Sequence, residues 1–134
     1  MIKYARLGDV LITGPLQIYV STFIKHSLFL RYFMLLTGIL NIIYNGHNLL
    51  LFNKLIKNPV SVFKPFVHLK NGKHQIHRLY NILITYPIFA YILFTVKLPD
   101  IISILFFTDI IVGFLFNLYF FIKHYRERKY NKEL

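Results

Sequence analysis

Four stretches of this chain contain neither lysine nor arginine: Val10 to Ile24, Tyr32 to Asn53, Leu79 to Val96 and Ile101 to Ile122, of 15, 22, 18 and 22 residues. A helix rises about 1.5 Å per residue and a bilayer core is roughly 30 Å thick, so about 20 residues span it. Three of the stretches have that length. The first attains it when Tyr4 to Asp9 enter the headgroup zone with Arg6 snorkelling. A soluble four-helix bundle would need a charged stripe recurring every 3.6 residues, and none of the four runs carries one. The chain is 56% hydrophobic with a mean hydropathy of +0.52, yet formally +11. Apolar and basic residues are therefore segregated along the sequence, as in a membrane protein.

The basic residues set an orientation. Lys3 and Arg6 precede the first run, and Lys54, Lys57, Lys64, Lys70, Lys73 and Arg78 lie in the central connection. Lys123, Arg126, Arg128, Lys129 and Lys132 follow the last run, which makes thirteen on one side against three, Lys25, Arg31 and Lys97, on the other. The positive-inside rule then predicts cytoplasmic termini and a cytoplasmic central loop. The first apolar run has no small-residue cleavage site and follows Asp9, so it does not read as a secretory signal. The chain has no cysteine, hence no disulfide, thiolate metal site or lipidated cysteine, and its compartment is not readable from redox chemistry.

The chain repeats itself. Arg6 to Tyr19, RLGDVLITGPLQIY, and Arg78 to Tyr91, RLYNILITYPIFAY, share seven of fourteen residues at an offset of 72. Asn45 and Asn117 fall opposite each other at the same offset. A two-span unit repeated once keeps its orientation, so the expected architecture is two tandem helical hairpins related by an axis along the membrane normal. The boundaries are 1–54 for the first hairpin, 55–77 for a basic inner loop, 78–122 for the second hairpin and 123–134 for a basic tail.

Each hairpin has a proline inside its first helix, Pro15 and Pro87. Proline removes a backbone hydrogen bond and clashes with the preceding turn, which predicts kinks at matched depth, with Thr13 and Thr85 near enough to serve a freed carbonyl. Such breaks act as hinges or binding sites, or as static kinks that let short helices pack. Counted from the outer ends, Gln17, Asn41 and Asp109 come within about one turn of the same level. A carboxylate there costs at least about 2.5 kcal/mol on insertion scales, so it is expected neutral, partnered or near water. An inward-facing layer of these three is either interhelical hydrogen bonding or a proton or cation relay. The repeat favours the former, because Asp109 aligns with Thr37 and the first hairpin has no matching carboxylate. In Tyr44 to Asn48, YNGHN, Gly46 permits close helix approach and Asn45 and Asn48 offer hydrogen bonds to a neighbour.

The central connection is apolar as well as basic. Pro59 and Pro65 forbid a continuous helix, while Asn71-Gly72 between two alternating arms predicts a small β-hairpin with a type I′ turn. An isolated hairpin is marginal in water, so it is expected to dock against headgroups or a partner. Anionic lipid and an acidic protein surface both fit its charge. Nucleic acid does not, because only Phe63 and Phe66 interleave the basic residues as stacking platforms. His68, His74 and His77 have no Cys, Asp or Glu beside them, so no metal is assigned. The tail extends the last helix about two or three turns past the membrane.

No paired carboxylates, nucleophile elbow, glycine-rich phosphate loop or His-x-Glu arrangement occurs, and the chain has five acidic residues; neither an enzyme nor a cofactor is expected. The segments GPLQIYV, TGILNIIYNGHNLL and GKHQIHRLYNILITYPIFAYIL resemble small membrane proteins of nucleocytoplasmic large DNA viruses. In these, Gly-Pro-x-x-Ile-Tyr, Tyr-Asn-Gly-x-Asn and Arg-Leu-Tyr-Asn motifs recur. The resemblance covers most of residues 6 to 93; the last span departs from it, with Asn117 lacking the accompanying Gly and second Asn. It implies a virion protein of the internal membrane beneath an icosahedral shell, with the basic loop and tail facing the capsid.

The sequence thus predicts an all-α protein with four transmembrane helices that anchors a membrane to a protein assembly. Lys57, Lys64, Lys70, Lys73, Arg78, Arg126, Arg128 and Lys129 would contact partner or lipid. A small proton or cation transporter using Asp109 is the alternative, and an accessory subunit of an organelle membrane complex, suggested by the Ile, Asn, Lys, Phe and Tyr bias, is another.

Overall fold

The computed structural model describes residues 2–58 and 78–133, with side chains for 4–51, 53–58 and 78–126. The first rod has three pieces: α1 (Ile2–Gly8), a π-helical turn (Asp9–Thr13) and α2 (Gly14–Ser21). Helix α3 follows as Leu28–Phe52. The chain is helical again from Arg78, passes a second π-helical turn (Asn81–Thr85) and continues as α4 (Tyr86–Thr95). Helix α5 is Asp100–Glu133, so the basic tail prolongs the last helix. No strand occurs among the described residues; the hairpin expected at Asn71-Gly72 lies outside them.

A π-helical turn precedes each of the prolines at which kinks are expected. Pro15 and Pro87 lack an N–H, and their rings crowd the carbonyl one turn back. Just before each proline the ladder lengthens: the Gly14 N–H bonds to the Asp9 carbonyl and the Tyr86 N–H to the Asn81 carbonyl, both five residues back. The wider turn moves the preceding carbonyls relative to the ring, which relieves the clash by local geometry. Both π-turns fall at the same place in the two copies of the Leu-Ile-Thr-x-Pro stretch.

The ends of the helices follow from their sequences. Past Ser21, the amides of Thr22, Phe23 and Ile24 bond three residues back at 3.1, 3.0 and 3.3 Å, tightening the chain into a turn. Ser27, in extended geometry, accepts from the Leu30 N–H at 3.3 Å and starts α3. At its other end, Lys54 adopts φ 59°, the Lys54 N–H bonds to the Leu51 carbonyl and the Leu55 N–H to the Leu50 carbonyl, a Schellman arrangement. Pro99 stops the chain from continuing α4, its carbonyl accepts from the Ser103 N–H, and Asp100 complements the positive end of the α5 dipole.

Short turns at 22–27 and 96–99 make α2 with α3, and α4 with α5, antiparallel pairs; α2 also packs on α5. The core lies toward the turns, where Leu16, Val20, Ile24 and Met34 meet Phe89, Ile92, Val96, Phe106 and Ile110. Phe89 is its hub, within 5.6 Å of the Phe106 ring, 5.9 Å of Tyr86 and 6.3 Å of Phe33. Outside this core the apolar surface is open: of the most hydrophobic stretch of α5 only 11% is buried. An apolar face of that extent is stable in hydrocarbon and not in water. Three helices, Leu28–Leu51, Arg78–Thr95 and Asp100–Arg126, are long and apolar enough to cross a membrane, and the protein is a membrane protein. The first rod carries Lys3, Arg6 and Asp9 in its first half and is not among the three.

Candidate functional site

The polar residues of the helices meet along the inside of the bundle. Gln17, buried on α2, donates its side-chain amide to Asp109 Oδ2 of α5 at 3.5 Å, and its Oε1 accepts from the Asn41 amide of α3 at 3.3 Å. One turn along α3, the Asn45 amide donates to the Asn41 backbone carbonyl at 3.0 Å and to its Oδ1 at 3.4 Å. The Asn45 Oδ1 accepts from Arg6 Nη1 at 3.1 Å. Five side chains from three rods thus form one chain, from the guanidinium of Arg6 to the carboxyl of Asp109.

Tight backbone contact makes this chain geometrically possible. A Cβ added at Gly14 would lie 2.5 Å from Ile42 Cγ1 and 3.1 Å from the Gly38 carbonyl, and one at Gly38 would lie 2.9 Å from the Gly14 carbonyl. With both positions glycine, α2 and α3 approach closely enough for the short side chains of Gln17 and Asn41 to meet.

The second hairpin has its own polar cluster. The Asn81 amide donates to Asn117 Oδ1 at 3.5 Å, while the Asn117 amide donates to the Gly113 carbonyl at 2.8 Å and to the Tyr86 hydroxyl at 3.5 Å. Tyr86 stands where the first hairpin has Gly14, and its ring lies against Gly113. Asn45 and Asn117 thus do the same two things: each returns its amide to the carbonyl four residues back, and each accepts with Oδ1 from a neighbouring rod.

At the end of the bundle away from the turns, cations sit on aromatic faces. Arg6 lies 5.5 Å over the Tyr44 ring, Arg78 lies 4.8 Å over Phe120, and Lys123 Nζ is 6.0 Å from the same ring. These contacts let long basic side chains lie along apolar helices.

Of the residues expected from sequence to form an intramembrane layer, Gln17, Asn41 and Asp109 are joined directly. Of the basic set, Arg78 is half-buried, Lys57 and Arg126 are exposed, and Lys64, Lys70 and Lys73 lie outside the described residues, as do the side chains of Arg128 and Lys129. Asn45, expected to hydrogen-bond to a neighbouring helix, does so with Arg6, whereas Arg6, Asn81, Tyr86 and Asn117 belong to the site without having been singled out for it. The 72-residue offset that pairs Arg6 with Arg78 and Asn45 with Asn117 was the available signal. Among the described residues no three His, Asp or Glu side chains cluster to hold a metal ion; His68, His74 and His77 lie outside them. Comparison with protein-family models, with curated proteins and with solved structures finds no match for the chain.

Proposed function

We propose that this is a structural membrane protein of four spans, two tandem hairpins with both termini and the central connection on the cytoplasmic side, which holds a membrane against a protein assembly. The first rod completes the four spans by bringing its basic first half into the headgroup zone. The observation that carries the reading is the closure of the intramembrane polar groups on one another, from Arg6 through Asn45, Asn41 and Gln17 to Asp109. Used in this way they fix which faces of the rods meet, as interhelical hydrogen bonds do in hydrocarbon. The charge left for outside contact is then the basic set: Lys57, Lys64, Lys70, Lys73, Arg78, Arg126, Arg128 and Lys129. On the resemblance to membrane proteins of nucleocytoplasmic large DNA viruses, the assembly is a capsid shell and the membrane is the virion inner membrane. The test is charge reversal at Lys57, Lys64, Arg126 and Arg128. Loss of the co-purifying assembly with membrane insertion intact is the expected result, and retention of the assembly overturns the anchoring role.

One observation favours a second reading, a proton or cation conductor. The Asp109 carboxyl, the one acidic group between Ile101 and Ile122, accepts from Gln17 at 3.5 Å within the bundle. Flux in liposomes abolished by Asp109→Asn would establish conduction, and its absence in the parent protein leaves the structural reading standing.

A further inference from the structure

Arg78 opens the second hairpin at the end of the bundle away from the turns. Its guanidinium lies on Phe120, and Nη1 is buried with no hydrogen-bond partner among the described residues. A buried guanidinium nitrogen without an acceptor is a costly arrangement, because its protons have left water and gained nothing. Two further cations stand close by. Lys123 reaches the same Phe120 ring, and Arg6 is near enough for its charge to act on Arg78. Arg6 spends Nη1 on Asn45, a neutral partner. Arg78 and Lys123 share the Phe120 ring and repel, and an anion seated between them removes both the repulsion and the missing acceptor.

We propose that Arg78, Lys123 and Arg6 form a binding site for the phosphodiester of an anionic membrane lipid, at the junction of the two hairpins. The guanidinium fork suits a phosphate, whose oxygens accept parallel N–H bonds from the same arginine. The surroundings favour lipid over free phosphate. Leu79, Tyr80 and Leu83, on the helix that starts at Arg78, are exposed apolar side chains along which acyl chains can lie, and basic pockets between spans on the cytoplasmic side take such headgroups. The site rests on the proposed placement of this end at the cytoplasmic surface. It is independent of the anchoring role, because lipid binding is measurable on the isolated protein.

The full-length chain in neutral detergent, titrated with phosphatidylglycerol or phosphatidylcholine and read by native mass spectrometry, tests this. One tightly held phosphatidylglycerol and weaker phosphatidylcholine retention are expected. Arg78→Gln is expected to weaken phosphatidylglycerol binding at least tenfold, Arg78→Lys to retain part of it, and Lys54→Gln, which removes an exposed charge outside the basic contact set, to leave it unchanged. Equal losses from Arg78→Gln and Lys54→Gln would show mere surface attraction and overturn the site. Displacement of the lipid by millimolar inorganic phosphate would overturn lipid as the ligand. Circular dichroism of each variant separates lost binding from lost fold, and Lys123→Gln, at an exposed position, repeats the test should Arg78→Gln not fold.

Discussion

The side-chain amide of Gln17 donates to Asp109 Oδ2 at 3.5 Å across 92 residues of sequence, and this contact ties the first hairpin to the second. Gln17 is 2% exposed and also accepts from Asn41, so one side chain serves three rods. Gln17→Leu keeps the volume and removes both bonds. We expect it to cost about 1–2 kcal/mol, because Asp109 and Asn41 lose their shared partner inside the bundle. Asp109→Asn retains an oxygen for the Gln17 amide and is expected to change stability by less than about 0.5 kcal/mol. Denaturant unfolding in micelles, followed by circular dichroism, measures both; an equal loss from the two variants contradicts the assignment.

Glycine substitutions read how closely the helices approach. A Cβ at Gly38 would lie 2.8 Å from Ile18 Cγ1 and 2.9 Å from the Gly14 carbonyl. The carbonyl is backbone and cannot turn aside, so Gly38→Ala is expected to push α2 from α3 at about 1–3 kcal/mol, the usual range for overpacking. Gly8→Ala meets nothing within 4 Å, and removing a helix glycine there is expected to stabilise by about 0.5–1 kcal/mol. Thermal unfolding of the two variants side by side should move in opposite directions.

The end of α3 carries an avoidable strain. Lys54 holds φ 59° in the Schellman turn, a region that disfavours residues with a Cβ and suits glycine. Its side chain is exposed, so Lys54→Gly loses no buried contact. Relief of the left-handed conformation is expected to gain up to about 1 kcal/mol, which the more flexible unfolded chain reduces. Amide exchange at Leu55, whose N–H bonds to the Leu50 carbonyl, should slow in the variant.

Much of the helical layout is legible from the absence of charge. The run from Tyr32 to Asn53 becomes α3 with its start moved to Leu28, because Ser27 supplies a cap and Arg31 points outward from an exposed position. Depth counting alone puts Gln17, Asn41 and Asp109 at one level, since every rod rises equally per residue. The Arg6 to Asn45 bond is less legible: an arginine near a helix start reads as snorkelling until the neighbouring rod is known to present an acceptor. Tyr86 is hidden for a related reason, since its role depends on Gly113, a full helix away. The prolines announce a broken ladder but not how it is repaired, and a π-turn leaves no composition signature distinct from a kink.

The four-span placement has a direct test, because the chain contains no cysteine and any introduced one is the sole reactive thiol. His26 and Lys97 are exposed in the two short turns, and Lys57 and Arg126 are exposed toward the opposite end of the helices. The first rod decides the outcome for Tyr4. If Ile2–Ser21 crosses the membrane, the N-terminus and Lys57 share a side; if it lies along the surface, the N-terminus shares a side with the turn at His26. In sealed vesicles, a membrane-impermeant maleimide is expected to label His26→Cys and Lys97→Cys from one side, and Lys57→Cys, Arg126→Cys and Tyr4→Cys from the other. Tyr4→Cys labelled together with His26→Cys would leave three spans, and the basic residues of the N-terminus would then face away from Lys57.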